Sequence, residues 1–490
     1  SATAVYTRDS DKLDGSRVEG IDFSGLGNTT LGYYGLGNAA THNITEINYR
    51  LHNNVGYLGR VNYSYKDTYH FNASVRRDGS SVFGSDKKWG TFPAVGVAWT
   101  ISNEGFFQEV LPWATNTKLK ASWGKNGNQS LQPYQTLSQM AMGKSGGYTA
   151  YFGGQPLFAQ ALTTLGNPDL GWETTTSWNF GIETDLLKGG RIHFELDAYV
   201  ANTTDQIFNS TIPVMGAGLD HQYATMGKVR NWGIEAVLST MNIRKKDFTW
   251  STNFQFNLNR SILKELDGSG QDNIQDQLFL NKSLGAIFGY DYNRVVQVED
   301  TQYMQANGAK PGDPMYIDHD GDGVITPSDR VILGYNKPSF QLNMGNTITW
   351  KNFTLYFLFA GTFSTGKYGV APNNFAFATN MESMAYINTE DFPFWTEQNR
   401  DTKHLGATAD VSKFTGVQKY GFIRLQDVNL AYNLKGAWMN KIGLGSAQVY
   451  VSGQNLFFWA PDWEFSDPEI RSSRTTQLAR TFTFGLNVRF

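Results

Sequence analysis

The 490-residue sequence contains no cysteine. Thiol catalysis, zinc–thiolate coordination and disulfide bonding are excluded together. Charge is scarce as well, at 17% of residues against roughly 25% in an ordinary globular chain. A net charge of −3 and a pI near 6.2 leave no basic footprint for nucleic acid. Long apolar runs are also missing. Mean hydropathy is −0.39, and no stretch approaches the roughly 18 consecutive apolar residues of a transmembrane helix. What the chain does hold is 51 glycines and 14% aromatics. This composition fits an all-β chain whose apolar residues are dispersed in alternation.

The final residues show that alternation best. Phe482, Phe484, Leu486, Val488 and Phe490 share one parity, and Thr481, Thr483, Gly485, Asn487 and Arg489 share the other. A strand sends these two sets to opposite faces. The pattern recurs as Trp250, Phe254, Phe256 and Leu258 against Ser251, Asn253, Gln255, Asn257 and Asn259. It recurs again as Ile192, Phe194, Leu196, Ala198 and Val200 against Arg191, His193, Glu195, Asp197 and Tyr199. Each run is about ten residues long, which is the length of a tilted strand crossing a bilayer.

Connections alternate between tight and long. Lys66-Asp67, Leu187–Gly190 and Trp350–Asn352 are tight, whereas 129–174, 203–229, 261–337, 364–418 and 458–479 are excursions. Short periplasmic turns and long extracellular loops mark a transmembrane antiparallel β-barrel of the outer membrane. With the C-terminus in the periplasm, parity predicts strands over 52–66, 69–79, 91–103, 117–128, 175–186, 191–202, 230–241, 248–260, 338–350, 353–363, 419–434, 446–457 and 480–490. The strand-like 289–299 would break the up–down order, so it belongs inside the large extracellular loop 261–337. Residues 1–51 read as an extracellular loop region and 52–490 as barrel. The expected count is about thirteen strands, beginning downward, an incomplete set for a barrel of even number. The expectation is the C-terminal part of a larger barrel, with the N-terminal portion on a separate chain or otherwise outside these residues.

One segment carries coordination chemistry. In 318–329, Asp318, Asp320, Asp322 and Asp329 occupy positions 1, 3, 5 and 12 of a twelve-residue loop, with Gly323 at 6 and the Val324 carbonyl at 7. That spacing supplies hard oxygens around a tight turn and resembles an EF-hand loop. Calcium is the expected ion, in a structural role. Asp in place of Glu at position 12 reaches less far and shifts the balance towards magnesium, and an ion-free Asx-rich turn is the alternative.

Catalytic signatures are sparse. The seven histidines have no paired-ligand spacing, and no nucleophile elbow or phosphate-binding glycine loop occurs. The expectation is that the protein is not an enzyme. Aromatics beside the excursions include Tyr148, Tyr151, Phe152, Trp172, Tyr386, Phe392, Phe394, Trp395, Phe457, Phe458, Trp459 and Trp463. Girdle or loop-core packing is the favoured reading. Trp172, Trp395, Trp459 and Trp463 are the candidates for contact with a substrate or a covering partner.

Several stretches resemble the SusC-like, or RagA-like, TonB-dependent outer-membrane transporters. They include Leu58–Tyr69, Ala73–Ser81, Trp89–Ala94, Leu119–Gly124, Asn167–Glu173, Gly227–Glu235, Pro311–Asp313, Val451–Leu456 and the terminal strand. The resemblance implies a barrel of about 22 strands filled by an N-terminal plug. It also implies a SusD-like surface lipoprotein as lid and energy from TonB through the missing portion. Oligosaccharides are the expected cargo, with peptides as the alternative within the family. A passive porin or structural barrel, and a barrel-borne hydrolase, are the readings from other classes. Trp232 and Asn433-Leu-Lys435 depart from the family pattern, and the plug has no counterpart here.

Overall fold

A computed structural model describes all residues except 24–31, 143–148, 154, 159, 188, 216–218, 374–375, 378–392, 401–402, 437–442, 465, 472–476 and 490. Fourteen strands form one sheet in which every neighbour in space is the neighbour in sequence. They are β1 (Ala2–Phe23), β2 (Ala39–Tyr65), β3 (Tyr69–Ser80), β4 (Trp89–Trp99), β5 (Ala114–Asn128), β6 (Glu173–Leu186) and β7 (Ile192–Met215). The sheet continues with β8 (Leu219–Arg244), β9 (Phe248–Glu265), β10 (Phe340–Trp350), β11 (Phe353–Phe363), β12 (Phe422–Leu434), β13 (Ser446–Trp459) and β14 (Thr481–Arg489). The pairing is the antiparallel meander expected when short turns alternate with long loops.

The thirteen strands predicted by parity are all present, with two corrections. Within the expected loop 1–51 lie instead β1 and the first part of β2, paired from Ala2↔Val61 to Phe23↔Ala39. The expected excursion 203–229 is largely strand, since β7 runs on to Met215 and β8 starts at Leu219. The physical reason is the same in β1. Beyond Tyr6 it carries Arg8, Asp9, Asp11, Lys12 and Asp14, so neither face is apolar. A hairpin wetted on both faces is held by its backbone ladder and leaves no hydrophobic period to read. The segment 289–299 lies outside the sheet, as expected. Ala286–Tyr290 pairs with Arg330–Tyr335, and Tyr292–Val295 pairs with Pro314–Tyr316.

The chain divides into two compact units. In the first (Ser1–Val97, Ser122–Trp178 and Asn202–Lys228), Val82, Phe83, Leu131 and Leu170 form a core against Trp172, Ile207 and Tyr223. In the second (Ala98–Ala121, Asn179–Ala201 and Val229–Phe490), apolar cores lie among the loops. One joins Val295, Trp395 and Leu405; another joins Ala371, Tyr420 and Trp463.

The strands of the second unit do the reverse and keep their largest apolar side chains exposed. Cross-strand register aligns Trp250, Ile348, Leu355, Leu430, Val451 and Phe484 on one face. Phe484 is 77% exposed and Phe482 63%. Such a face is stable only against hydrocarbon.

Candidate functional site

The opposite face of the second unit is polar. Ser251, Asn253 and Gln255 of β9 stand across from Thr347, Gly345 and Asn343 of β10. These side chains brace one another: Asn253 Nδ2 donates to Ser239 Oγ at 2.8 Å, and Gln255 Nε2 donates to Asn253 Oδ1 at 3.1 Å. A cavity of about 440 Å³ opens on this wall, lined among others by Arg191, His193, Ser239, Asn253, Gln255 and Asn343. Amides and hydroxyls both donate and accept hydrogen bonds. The wall therefore offers both donors and acceptors, with Arg191 and His193 at its margin.

One charge cluster on the same unit is closely paired. Lys120 Nζ of β5 lies 2.6 Å from Glu195 Oε1, 3.8 Å from Asp197 and 3.9 Å from Glu183. His193 Nδ1 is 2.8 Å from Asp185 Oδ1, while Asn116 Nδ2 donates to Asp185 Oδ2 at 2.7 Å. Gly181 makes room for this cluster, because a Cβ there would meet Asp197 Oδ1 at 2.3 Å. Sequence reasoning missed the cluster. Parity assigns Glu195 and Asp197 to the polar face, but only the register of β5, β6 and β7 brings Lys120 between them.

The acidic loop lies outside the sheet. Asp318, Asp320 and Asp322 offer carboxylate oxygens that all lie within 4.8 Å of one another. Left-handed backbone at Gly321 (φ 80°) and Gly323 (φ 86°) turns the chain around them. Asp318 accepts from the N–H groups of Gly321 (2.6 Å) and Gly323 (2.7 Å), and Asp322 accepts from that of Val324 (2.8 Å).

Asp329 is placed differently from those three carboxylates. It is fully buried, with Oδ1 accepting from His319 N–H and Oδ2 from Thr326 N–H, both at 2.8 Å. It closes a capping box with Thr326 at the short 3₁₀ turn Pro327–Asp329. The Thr326 N–H foremost, followed by those of His319 and Asp320, outweighs burial and holds the Asp329 carboxyl below its ordinary pKa. At Asp320 the bond from Asp322 N–H pulls downward. Desolvation and the charges of Asp322, Asp329 and Asp318 prevail, and the carboxyl sits above its ordinary value. A bound cation would relieve that repulsion.

The loop is anchored on both sides. Asn307 Oδ1 accepts from Ile325 N–H at 2.7 Å, and Arg294 grips Asp300 through two bonds of 2.7 Å. The Arg294 hydrogen bond is the main cause that lowers the Asp300 carboxyl pKa.

The four candidate tryptophans do not act alike. Trp395 is buried with Val295 and Leu405, its Nε1 donating to Gln297 Oε1 at 2.9 Å. Trp463 is buried with Ala371 and Tyr420 and donates to Ser466 Oγ at 3.0 Å. Both fill loop cores. Trp172 packs on Phe83 at 4.6 Å between centroids and donates to Lys88 O at 3.2 Å. Trp459 is exposed, but it pairs with Ile423, two positions beyond Phe457↔Leu425, on the apolar face. That register makes it part of the interfacial girdle. Tyr148, Tyr386 and Phe392 lie outside the described residues, as do the side chains of Tyr151 and Phe152.

Comparison with known proteins agrees with this geometry. The family model described as TonB dependent receptor-like, beta-barrel, matches residues 4–456. TonB-dependent receptor P26 of Formosa agariphila is 31% identical over 522 residues, covering 100% of this chain and 51% of its own. TonB-dependent receptor SusC of Bacteroides thetaiotaomicron is 27% identical over 454 residues, 89% of this chain and 44% of that protein. Among solved structures, the RagAB peptide importer in its open-open state superposes with a TM-score of 0.77. Its identity is 21%, and the match covers 100% of this chain and 52% of that one, a likeness of fold. The chain spans about half the length of the curated relatives it matches.

Proposed function

The chain belongs to the TonB-dependent receptor β-barrel family of integral outer-membrane proteins, and from that premise we propose that it forms the wall of a SusC-like importer of oligosaccharides. The observation that carries the reading is the neutral polar face of β9 and β10, where Ser251, Asn253, Gln255, Asn343 and Thr347 line a cavity of about 440 Å³. A sugar passing that wall exchanges water for amide and hydroxyl partners at each step. The remaining parts of the reading are an N-terminal portion that brings the plug and further strands, a SusD-like lipoprotein that covers the extracellular loops, and TonB acting through the plug.

The same reading gives the acidic loop a structural cation, calcium in preference to magnesium. Asp318, Asp320 and Asp322 with the Val324 carbonyl would hold it, and Asp329 would brace the loop backbone. Support comes from the three convergent carboxylates and the raised Asp320 pKa.

The test is uptake of labelled neutral oligosaccharides and labelled peptides by cells that carry this receptor as their sole importer. Accumulation of oligosaccharide that stops on removal of TonB supports the proposal. Accumulation of peptide alone would transfer it to the peptide-importing branch, and uptake indifferent to TonB would make the barrel a passive pore.

A further inference from the structure

Across β9 to β14 the apolar face of the second unit has one polar interruption among the described residues. Across β10 to β14 its register positions are Phe340, Leu342, Met344, Ile348 and Trp350, then Phe353, Leu355, Phe357 and Phe359, and so on to Phe482, Phe484 and Leu486. The exceptions of polar character are Asn346 on β10 and its partner Thr252 on β9. They continue sideways into Asn242 and Thr240 of β8. Thr240 Oγ1 donates to Asn242 Oδ1 at 2.8 Å, and Asn242 Nδ2 donates to Thr252 Oγ1 at 2.7 Å. Thr252 Oγ1 and Trp250 Nε1 both donate to Asn346 Oδ1, at 2.7 and 2.9 Å. Asn346 is 4% exposed, and its Nδ2 donates no hydrogen bond among the described residues. An amide donor on a lipid-facing surface is costly unless something accepts from it.

The rim below this notch is basic. β8 ends at Arg244, and the turn to β9 holds Lys245 and Lys246, all three exposed. Lys351 of the β10–β11 turn lies alongside, its N–H donating to Asp247 O at 2.8 Å. Four cations against the single acid Asp247 leave a net charge of +3. Lys351 also rides over the exposed Trp350 ring at 5.5 Å. Short turns of this kind face the periplasm in such barrels. The basic rim therefore faces the periplasmic phospholipid leaflet, where the Trp350 indole marks the headgroup boundary, and Asn346 lies four residues further into the strand.

We propose that Thr240, Asn242, Trp250, Thr252 and Asn346 form a specific site for one anionic phospholipid of the periplasmic leaflet. The Asn346 amide donates to an ester or phosphate oxygen of that lipid. Lys245, Lys246 and Lys351 hold its negative headgroup. Neither group of residues suffices alone. A basic rim without the notch attracts lipid diffusely, and the notch without the rim selects no headgroup. Thr240 and Thr252 also border the cavity assigned to cargo, whereas Asn242, Trp250 and Asn346 do not, and the proposal does not depend on what the receptor imports.

The test is native mass spectrometry of the whole receptor assembly, purified and exchanged into nanodiscs of phosphatidylglycerol or of phosphatidylcholine. Wild type should retain one phosphatidylglycerol per receptor, with phosphatidylcholine retained at least roughly tenfold less. Both Lys245→Gln/Lys246→Gln/Lys351→Gln and Asn346→Leu/Thr252→Val should abolish the retained lipid. Equal retention of the two lipids, or loss in the lysine variant alone, would overturn the proposal. Should the notch variant fail to assemble, the lysine variant decides. Its substitutions lie in exposed turns, and unchanged retention of phosphatidylglycerol there would overturn the site.

Discussion

The strands β9 to β14 and the loops above them use the same side chains in opposite ways. On the strands, Phe482, Phe484 and Trp459 stand more than half exposed, whereas in the loops Trp395 and Trp463 are 9% and 5% exposed. The difference lies in the solvent each region meets. The strand face is covered by lipid and needs no partner within the protein, while the loops face water and must build cores of their own. An aromatic near a strand end is thus girdle, and an aromatic within an excursion is packing.

The largest break in this comparison should come from the loop cores. Trp395→Ala leaves a cavity beside Val295 and Leu405, with an expected cost of about 3–5 kcal/mol. The cost should appear as faster proteolysis within 286–335 and 393–414, with the heat-modifiable barrel band unchanged. Next is the lipid face. Phe357→Arg, in the middle of β11, should cost about 2–4 kcal/mol in urea unfolding from liposomes, because a guanidinium near the midplane is exposed to hydrocarbon. Tyr356→Arg, one residue away and across the sheet, should cost far less. Equal costs would mean that the two faces do not see different solvents.

Strands and loops also differ in how far they could be read. The alternation from Thr481 to Arg489 was legible because lipid on one face and water on the other impose a period of two. The β1–β2 hairpin was not, because its outer part meets water on both faces and only backbone pairing defines it. The acidic loop was legible by spacing, yet the inward turn of Asp329 was not, since its partners are the backbone N–H groups of His319, Asp320 and Thr326, which side-chain spacing does not reveal. Trp395 and Trp459 illustrate the same limit. Both are tryptophans beside excursions, and the first is buried only because Val295 and Leu405, 100 and 10 positions away, reach it.

Smaller effects sharpen the picture. Asp329→Asn removes a buried carboxylate that three backbone N–H groups address and should cost about 1–3 kcal/mol, read as loop protection in hydrogen exchange. Its pKa is lowered on folding, so its contribution is present above the ordinary aspartate value. That contribution is lost as pH falls through the lowered value. Protection of 318–329 should therefore decline on acidification through that window, and the Asn variant should show no such decline. Under the proposed cation site, calcium chelation should loosen the same segment and leave the strands untouched. Trp459→Ala should be the mildest, within about 1 kcal/mol and without effect on uptake, since its ring faces the membrane boundary. A loss of cargo binding in that variant would return Trp459 to the ligand path.

The central claim is that the neutral polar wall carries sugar. Its most direct test compares TonB-dependent uptake of a labelled neutral oligosaccharide by wild type and by Asn253→Leu/Gln255→Leu. The two side chains are interior to the wall and bonded only to polar neighbours. A fall in uptake of roughly tenfold with unchanged receptor level is the predicted result, as expected when a passing solute loses two or more hydrogen-bond partners. Undiminished oligosaccharide uptake through a leucine-lined wall would contradict the account.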